Sequence, residues 1–257
     1  AWAFSTLGIK NDKLNGALTD ATISRIEEFQ TRELVSITYA LANLGVASEA
    51  VMEVIAEKLT MRVQDLDPSS LEKVAWSFAA VGFSDEALMS CLESEVLNRL
   101  EEFSCQNIAV IAWAFAMLGV SEELLVDAMR TFIQARMDDF KAMDFARIIP
   151  AFVKWGCTED VEGELYMAAM KRMSKFGPAD LVSVAAAYEE FGDKDILGQF
   201  LEGAAYRFAM VSEAATGKQW VTFATTVATH ADRSTQSSFE PKFLAAFLRP
   251  LLQRLRA

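Results

Sequence analysis

The groups of this chain that could do chemistry return at a fixed interval. Arg25, Arg62, Arg99, Arg136, Arg172 and Arg207 stand about one repeat apart, and in a stack of repeats they form a ladder. A row of guanidinium groups can clasp successive phosphates. It can equally hold a fold together. Each arginine falls near a helix end, where a cation meets the negative pole of the helix dipole. Most are followed two or three residues later by an acid, as in Arg99-Leu100-Glu101-Glu102. A second candidate surface is more varied. Nine residues before successive glycines stand Ser36, Lys73, Val110, Arg147 and Ser183; two residues before them stand Asn43, Ala80, Met117, Lys154 and Glu190. Positions seven apart share a helix face. Their types vary while the core positions do not, which suits a surface with one contact set per repeat. Ser36, Asn43, Lys73, Asn107, Arg147 and Lys154 are the contacts expected there. On these residues alone the ligand is RNA, a protein, or nothing.

Catalytic groups are scarce. The one histidine, His230, has no nucleophile motif near it. Gly217-Lys218 matches the end of a phosphate loop, but the upstream glycine and the strand before it are missing. The paired acids Glu101-Glu102, Asp138-Asp139 and Glu189-Glu190 recur with the repeat, and a charge that follows a structural period is a solvated face. The expectation is a binding protein and not an enzyme, with no metal, no cofactor and no small-molecule substrate.

The elements that position these residues follow from the repeat. The segments AWAFSTLG, TYALANLG, AWSFAAVG, AWAFAMLG, IPAFVKWG and VAAAYEEFG end at Gly8, Gly45, Gly82, Gly119, Gly156 and Gly192, in steps of 37, 37, 37, 37 and 36. Such a period marks a solenoid. The unit is a pair of helices. In the copy from Pro68 to Phe103, Asp67-Pro68-Ser69-Ser70 starts the first helix. Leu71, Val74, Ala75, Phe78 and Val81 form its apolar stripe, and Gly82 ends it. Ser84-Asp85-Glu86 starts the second helix. A large apolar residue (Phe29, Leu66, Phe103, Phe140, Phe176) separates one pair from the next. Trp2, Tyr39, Trp76 and Trp113 share one position and are read as packing between repeats rather than as a base-stacking ladder. Ala3, Ala40, Ser77, Ala114, Ala151 and Ala187, all small, let helices approach closely. One pair cannot cover its own apolar face, so neighbours must stack. The prediction is an all-α, right-handed α-solenoid of about six to seven 37-residue helix pairs. Residues 1–210 are the array with an incomplete first repeat, and 211–232 a degenerate last repeat. Residues 233–257 are a polar linker and a basic amphipathic segment, expected to cap the array. Because Ala1 falls in the middle of a first helix, the chain is expected to be part of a longer or processed protein.

The net charge is −12, and it is uneven. The second helices together carry −14, leaving the rest of the chain at +2. This argues against attraction of the whole surface to nucleic acid, which needs clustered Lys and Arg, while leaving room for a local track. Cys91, Cys105 and Cys157 show neither metal-ligand spacing nor an even disulfide framework. They are expected as small core residues in a reducing compartment. The longest apolar run, Ile108 to Val120, has about 13 residues, too few to cross a bilayer.

The period and the strings from Leu34 to Gly45 and from Ile108 to Gly119 resemble the helical repeats of organellar RNA-metabolism proteins. These include heptatricopeptide and octotricopeptide repeats, FAST-kinase-like proteins and the repeat subunits of RNA-editing complexes. The A-W-A-F-x-x-L-G wording is similar to arrays of alveolate protists. The resemblance spans about Ala1 to Asp232. It implies a non-catalytic binder in a mitochondrion or plastid, acting on single-stranded RNA in processing, stability or ribosome assembly, within a larger assembly. The acidic surface, and the basic segment from Pro241 to Ala257 where such arrays often carry a small domain, keep open a protein scaffold without direct RNA contact.

Overall fold

A computed structural model describes residues 12–157, 161–190 and 194–233. Every regular element among them is helical. The chain divides into two compact units, Ala1–Thr131 and Phe132–Ala257. The first holds α1 (Asp12–Ser24), α2 (Thr31–Leu44), α3 (Glu49–Thr60), α4 (Pro68–Val81), α5 (Glu86–Asn98) and α6 (Cys105–Leu118). The boundary falls within α7 (Glu123–Ala135). The second unit continues with α8 (Ala142–Trp155), α9 (Glu162–Lys171), α10 (Pro178–Glu190), α11 (Lys194–Met210) and α12 (Gly217–Arg233). Even-numbered elements are the first helices of their pairs and odd-numbered ones the second. Single 3-10 turns at Ile26–Glu28, Val63–Asp65, Leu100–Glu102 and Met173–Lys175 lead from a second helix toward the next first helix.

The sequence sets both ends of each first helix. At the start, a side chain three residues in accepts the N–H of the residue before the helix. Glu33 does this for Gln30 at 2.9 Å, Asp144 for Lys141 at 2.9 Å, and Asp180 for Gly177 at 2.9 Å. Asp67 caps the other way, accepting from the Ser70 N–H at 2.7 Å, with Pro68 in the first turn where no N–H is needed. At the far end Gly45, Gly82, Gly119 and Gly156 take φ of 67, 76, 78 and 70°. The next N–H then reaches back across the last turn, as from Val46 to Leu41 O at 3.1 Å and from Phe83 to Phe78 O at 3.1 Å. Gly8 and Gly192 lie outside the described residues.

Packing runs along layers. Within the first unit α2, α4 and α6 stack in turn, as do α1, α3 and α5; within the second, α8, α10 and α12 stack, and α9 lies on α11. Ala40, Ser77, Ala114, Ala151 and Ala187 are all buried and let the first helices approach. Leu66, Phe103, Phe140 and Phe176 are buried between pairs, each contributing roughly 1.5–3 kcal/mol. The Tyr39 and Trp76 rings lie 4.9 Å apart at 41°, both half-buried, and join α2 to α4.

Two expectations are adjusted by the structure, and one proline is placed unexpectedly. Val110, expected on an exposed face, is buried, because α6 is apolar nearly all round and buries Ile108, Ala109, Ile111 and Ala112 with it. The cysteines form no disulfide and are half-buried, outside the fully buried core. Pro150 sits inside α8 without ending it. The missing Pro150 N–H would have bonded Ala146 O in a regular helix; instead the Ser183 hydroxyl of α10 donates to Ala146 O at 3.0 Å. The amphipathic segment from Pro241 lies outside the described residues.

Candidate functional site

The ladder arginines reach backward along the chain. The Arg62 guanidinium donates to Phe29 O at 2.8 Å, and Arg99 to Leu66 O at 2.8 Å. Arg172 donates to Met137 O at 3.3 Å and Asp138 O at 3.2 Å, and Arg207 donates to Phe176 O at 2.9 Å. In each case the acceptor lies in the link between the preceding pair and its own. These links cannot pair their carbonyls within a helix, so a guanidinium from the next repeat supplies the donor. The acids of the sequence pattern join in. Arg99 also meets Glu102 at 3.0 Å and Glu95 at 3.4 Å, and Arg172 meets Asp138 at 3.2 Å. These hydrogen bonds hold the Arg99 guanidinium above its usual pKa and, from the Arg172 side, lower that of the Asp138 carboxyl. Arg25 meets Glu28 at 2.5 Å in the open. Arg136 lies over the Phe132 ring at 4.1 Å and Arg172 over Phe145 at 5.1 Å. A backbone carbonyl has no sequence signature, so the acceptors were not readable in advance.

The first-helix face is different. Ser36, Asn43, Lys73 and Lys154 are exposed and Arg147 is half-exposed. Lys73 and Lys154 form no salt bridge with any described residue. Arg147 lies 4.0 Å from Asp144, a buried carboxylate whose Oδ1 has no hydrogen-bond partner. The Ser36 hydroxyl donates to Arg32 O at 2.9 Å. Lys73 and Arg32 lie near Asp67, whose pKa is lowered first by the Ser70 N–H and then by these two charges. Asn107 is differently employed. Its side chain accepts from the Ser104 N–H at 3.1 Å and donates to Glu72 at 2.5 Å, so it caps α6 and ties it to α4. Ser183 is likewise engaged, through Ala146 O.

Among the described residues no group of His, Cys, Asp and Glu side chains could hold a metal ion. No described helix is long and apolar enough to cross a membrane. Stacked helix pairs, glycine-ended and joined by arginine staples, define the class: an α-helical repeat protein. The sequence matches the family model of the RNA-editing substrate-binding complex 6 protein over residues 1–227, and the chain belongs to that family. No curated protein matches it.

Proposed function

We propose that this chain is a non-catalytic subunit of an RNA-editing complex and holds single-stranded RNA on the exposed face of its first helices. The observation that carries this reading is how the cations are divided. Arg62, Arg99, Arg172 and Arg207 are committed to carbonyls and acids of the fold. Lys73 and Lys154 stand exposed and form no salt bridge with a described residue, the state from which a phosphate can displace counterions. Asn43 shares the face of Lys73's neighbour repeat, and Arg147 that of Lys154. The family is named for an RNA-editing substrate-binding complex, which fits a subunit contacting RNA. The location, a mitochondrion or plastid, rests on the resemblance and is tested by cell fractionation.

The test is affinity for a labelled single-stranded RNA against salt. Binding should fall steeply as salt rises. Lys73→Ala with Lys154→Ala should weaken it and flatten the log–log slope by about 0.7 for each phosphate no longer held. Absence of RNA binding at low salt, with a protein partner co-purifying in equal amount, would favour the scaffold. That second reading has its own observation. Met61, Leu124, Met167, Tyr206 and Met210, all in or just after second helices, are large apolar residues left exposed.

A further inference from the structure

Two lysines break the repeat at one place. The residue before each first helix is Gln30, Asp67, Ser104, Gly177 or Thr216, but Lys141 before α8. The residue three after a ladder arginine is Glu28, Asp65, Glu102 or Asp139 in the first four repeats, but Lys175 after Arg172 and Met210 after Arg207. The fold brings the two lysines together. Lys141, Ala142, Met143, Arg172 and Lys175 line one open cleft of about 380 Å³. Neither lysine forms a salt bridge with a described residue. The Arg172 side chain, only 17% exposed, is fixed from behind by Ala168 O at 3.1 Å, by Met137 O and Asp138 O, and by the Phe145 ring. Asp138 stands nearby, shared between Arg172 and Lys171. Asp144 is buried and spends one oxygen on the Lys141 N–H. Three cations therefore line a cleft in a chain of net charge −12, and one of them, Lys175, stands where the four earlier repeats place an acid.

We infer that this cleft binds a phosphate group, and specifically a backbone phosphodiester of the RNA; the inference rests on the RNA-binding reading above. Arg172, whose Nη1 and Nη2 are already bonded to the fold, adds positive charge to the wall, and the two lysine ammonium groups make the contacts to the phosphate. Ala142 and Met143 supply an apolar wall against which a sugar can lie. Acidic peptides match the charge as well, but the family's name, an RNA-editing substrate-binding complex, favours RNA.

The test uses the full chain and a labelled single-stranded oligouridine. Lys141→Ser with Lys175→Asp restores the residue types one repeat earlier, Ser104 and Asp139, so the fold should tolerate it; Lys141→Arg with Lys175→Arg keeps the charge. The expected result is at least a tenfold loss of affinity for the first pair, a log–log salt slope shallower by about 0.7, and near-complete retention for the arginine pair. If the wild-type chain binds the RNA and the Ser/Asp variant binds it with equal affinity and slope, the cleft is no phosphate site and the first-helix face stands alone. If the wild-type chain binds no RNA at low salt, both readings fall. Displacement of the RNA by inorganic phosphate at matched ionic strength would overturn the backbone assignment in favour of a free or terminal phosphate.

Discussion

At the scale of single residues, Arg99 does the most with one side chain. It spans Leu66 O, Glu95 and Glu102 while remaining only 23% exposed. Arg99→Ala leaves the Leu66 carbonyl unpaired and should destabilise the fold by about 1–3 kcal/mol, read as a lower urea midpoint. Arg99→Lys should recover little of this, because one ammonium cannot keep the carbonyl and the carboxylates in a fork. Glu102→Gln should cost much less, since Glu102 is exposed and such pairs are worth about 0–1 kcal/mol. Asp67 adds a pH dependence. Its folded pKa is lowered, chiefly by the Ser70 N–H, so its stabilisation is present above the ordinary aspartate range and lost as pH falls through the folded value. Asp67→Ala should cost about 1 kcal/mol at neutral pH, and the gap from wild type should close in acid. Asp67→Asn should keep most of the cap and lose the pH dependence. That arginines recur was plain from the chain; what they hold was not, because every residue carries the carbonyl they seek. Val110 misled for a related reason. Its variability looked like exposure, and only packing shows that α6 is covered on that side.

For the elements, the glycines were legible because a left-handed backbone is a demand that few residues meet. No neighbouring atom lies within 4 Å of where a Cβ would stand at Gly119. The penalty for Gly119→Ala is then purely conformational, about 1–2 kcal/mol. Asparagine at the same position should lose less, and thermal melting of the two variants would show the order. The helix starts were legible in part: Asp67-Pro68 announced itself, whereas Lys141 and Gln30 depend on acids three residues later. Pro150 could not be read at all, since the donor that replaces its N–H comes from another helix, at Ser183. The replacement is testable by a double-mutant cycle. Ser183→Ala alone should cost about 1–3 kcal/mol by stranding Ala146 O. In a Pro150→Ala background the restored N–H should shrink that cost, giving a coupling above about 0.5 kcal/mol. Additive effects would mean that the hydroxyl is not acting for the proline.

At the scale of the whole molecule, packing within each compact unit runs between sequence neighbours, so damage should stay local. Arg99→Ala should speed amide hydrogen exchange in α4, α5 and α6 and leave α10 and α12 near their wild-type rates; uniform acceleration would contradict a nearest-neighbour stack. The layered fold was legible because period and apolar stripe repeat together. The candidate surfaces were less so. Lys73 and Lys154 stood out as polar residues, each on the open face of its own first helix, but Lys141 and Lys175 emerge only when each repeat is laid on the others and their departures are seen to meet. The backward reach of the arginines also bears on how such a chain grows. Each 37-residue segment carries the donor that fastens it to whatever precedes it, so a copied segment arrives with its own clasp and asks no new residue of its host. The clasp forgives imperfect copying too. Where the spacing shortens, Arg172 turns to two carbonyls and Arg207 uses Nε where Arg62 and Arg99 use Nη1. A side chain with several nitrogens can absorb a deletion that one with a single nitrogen would not survive, and an array lengthened by duplication can then drift in register without coming apart.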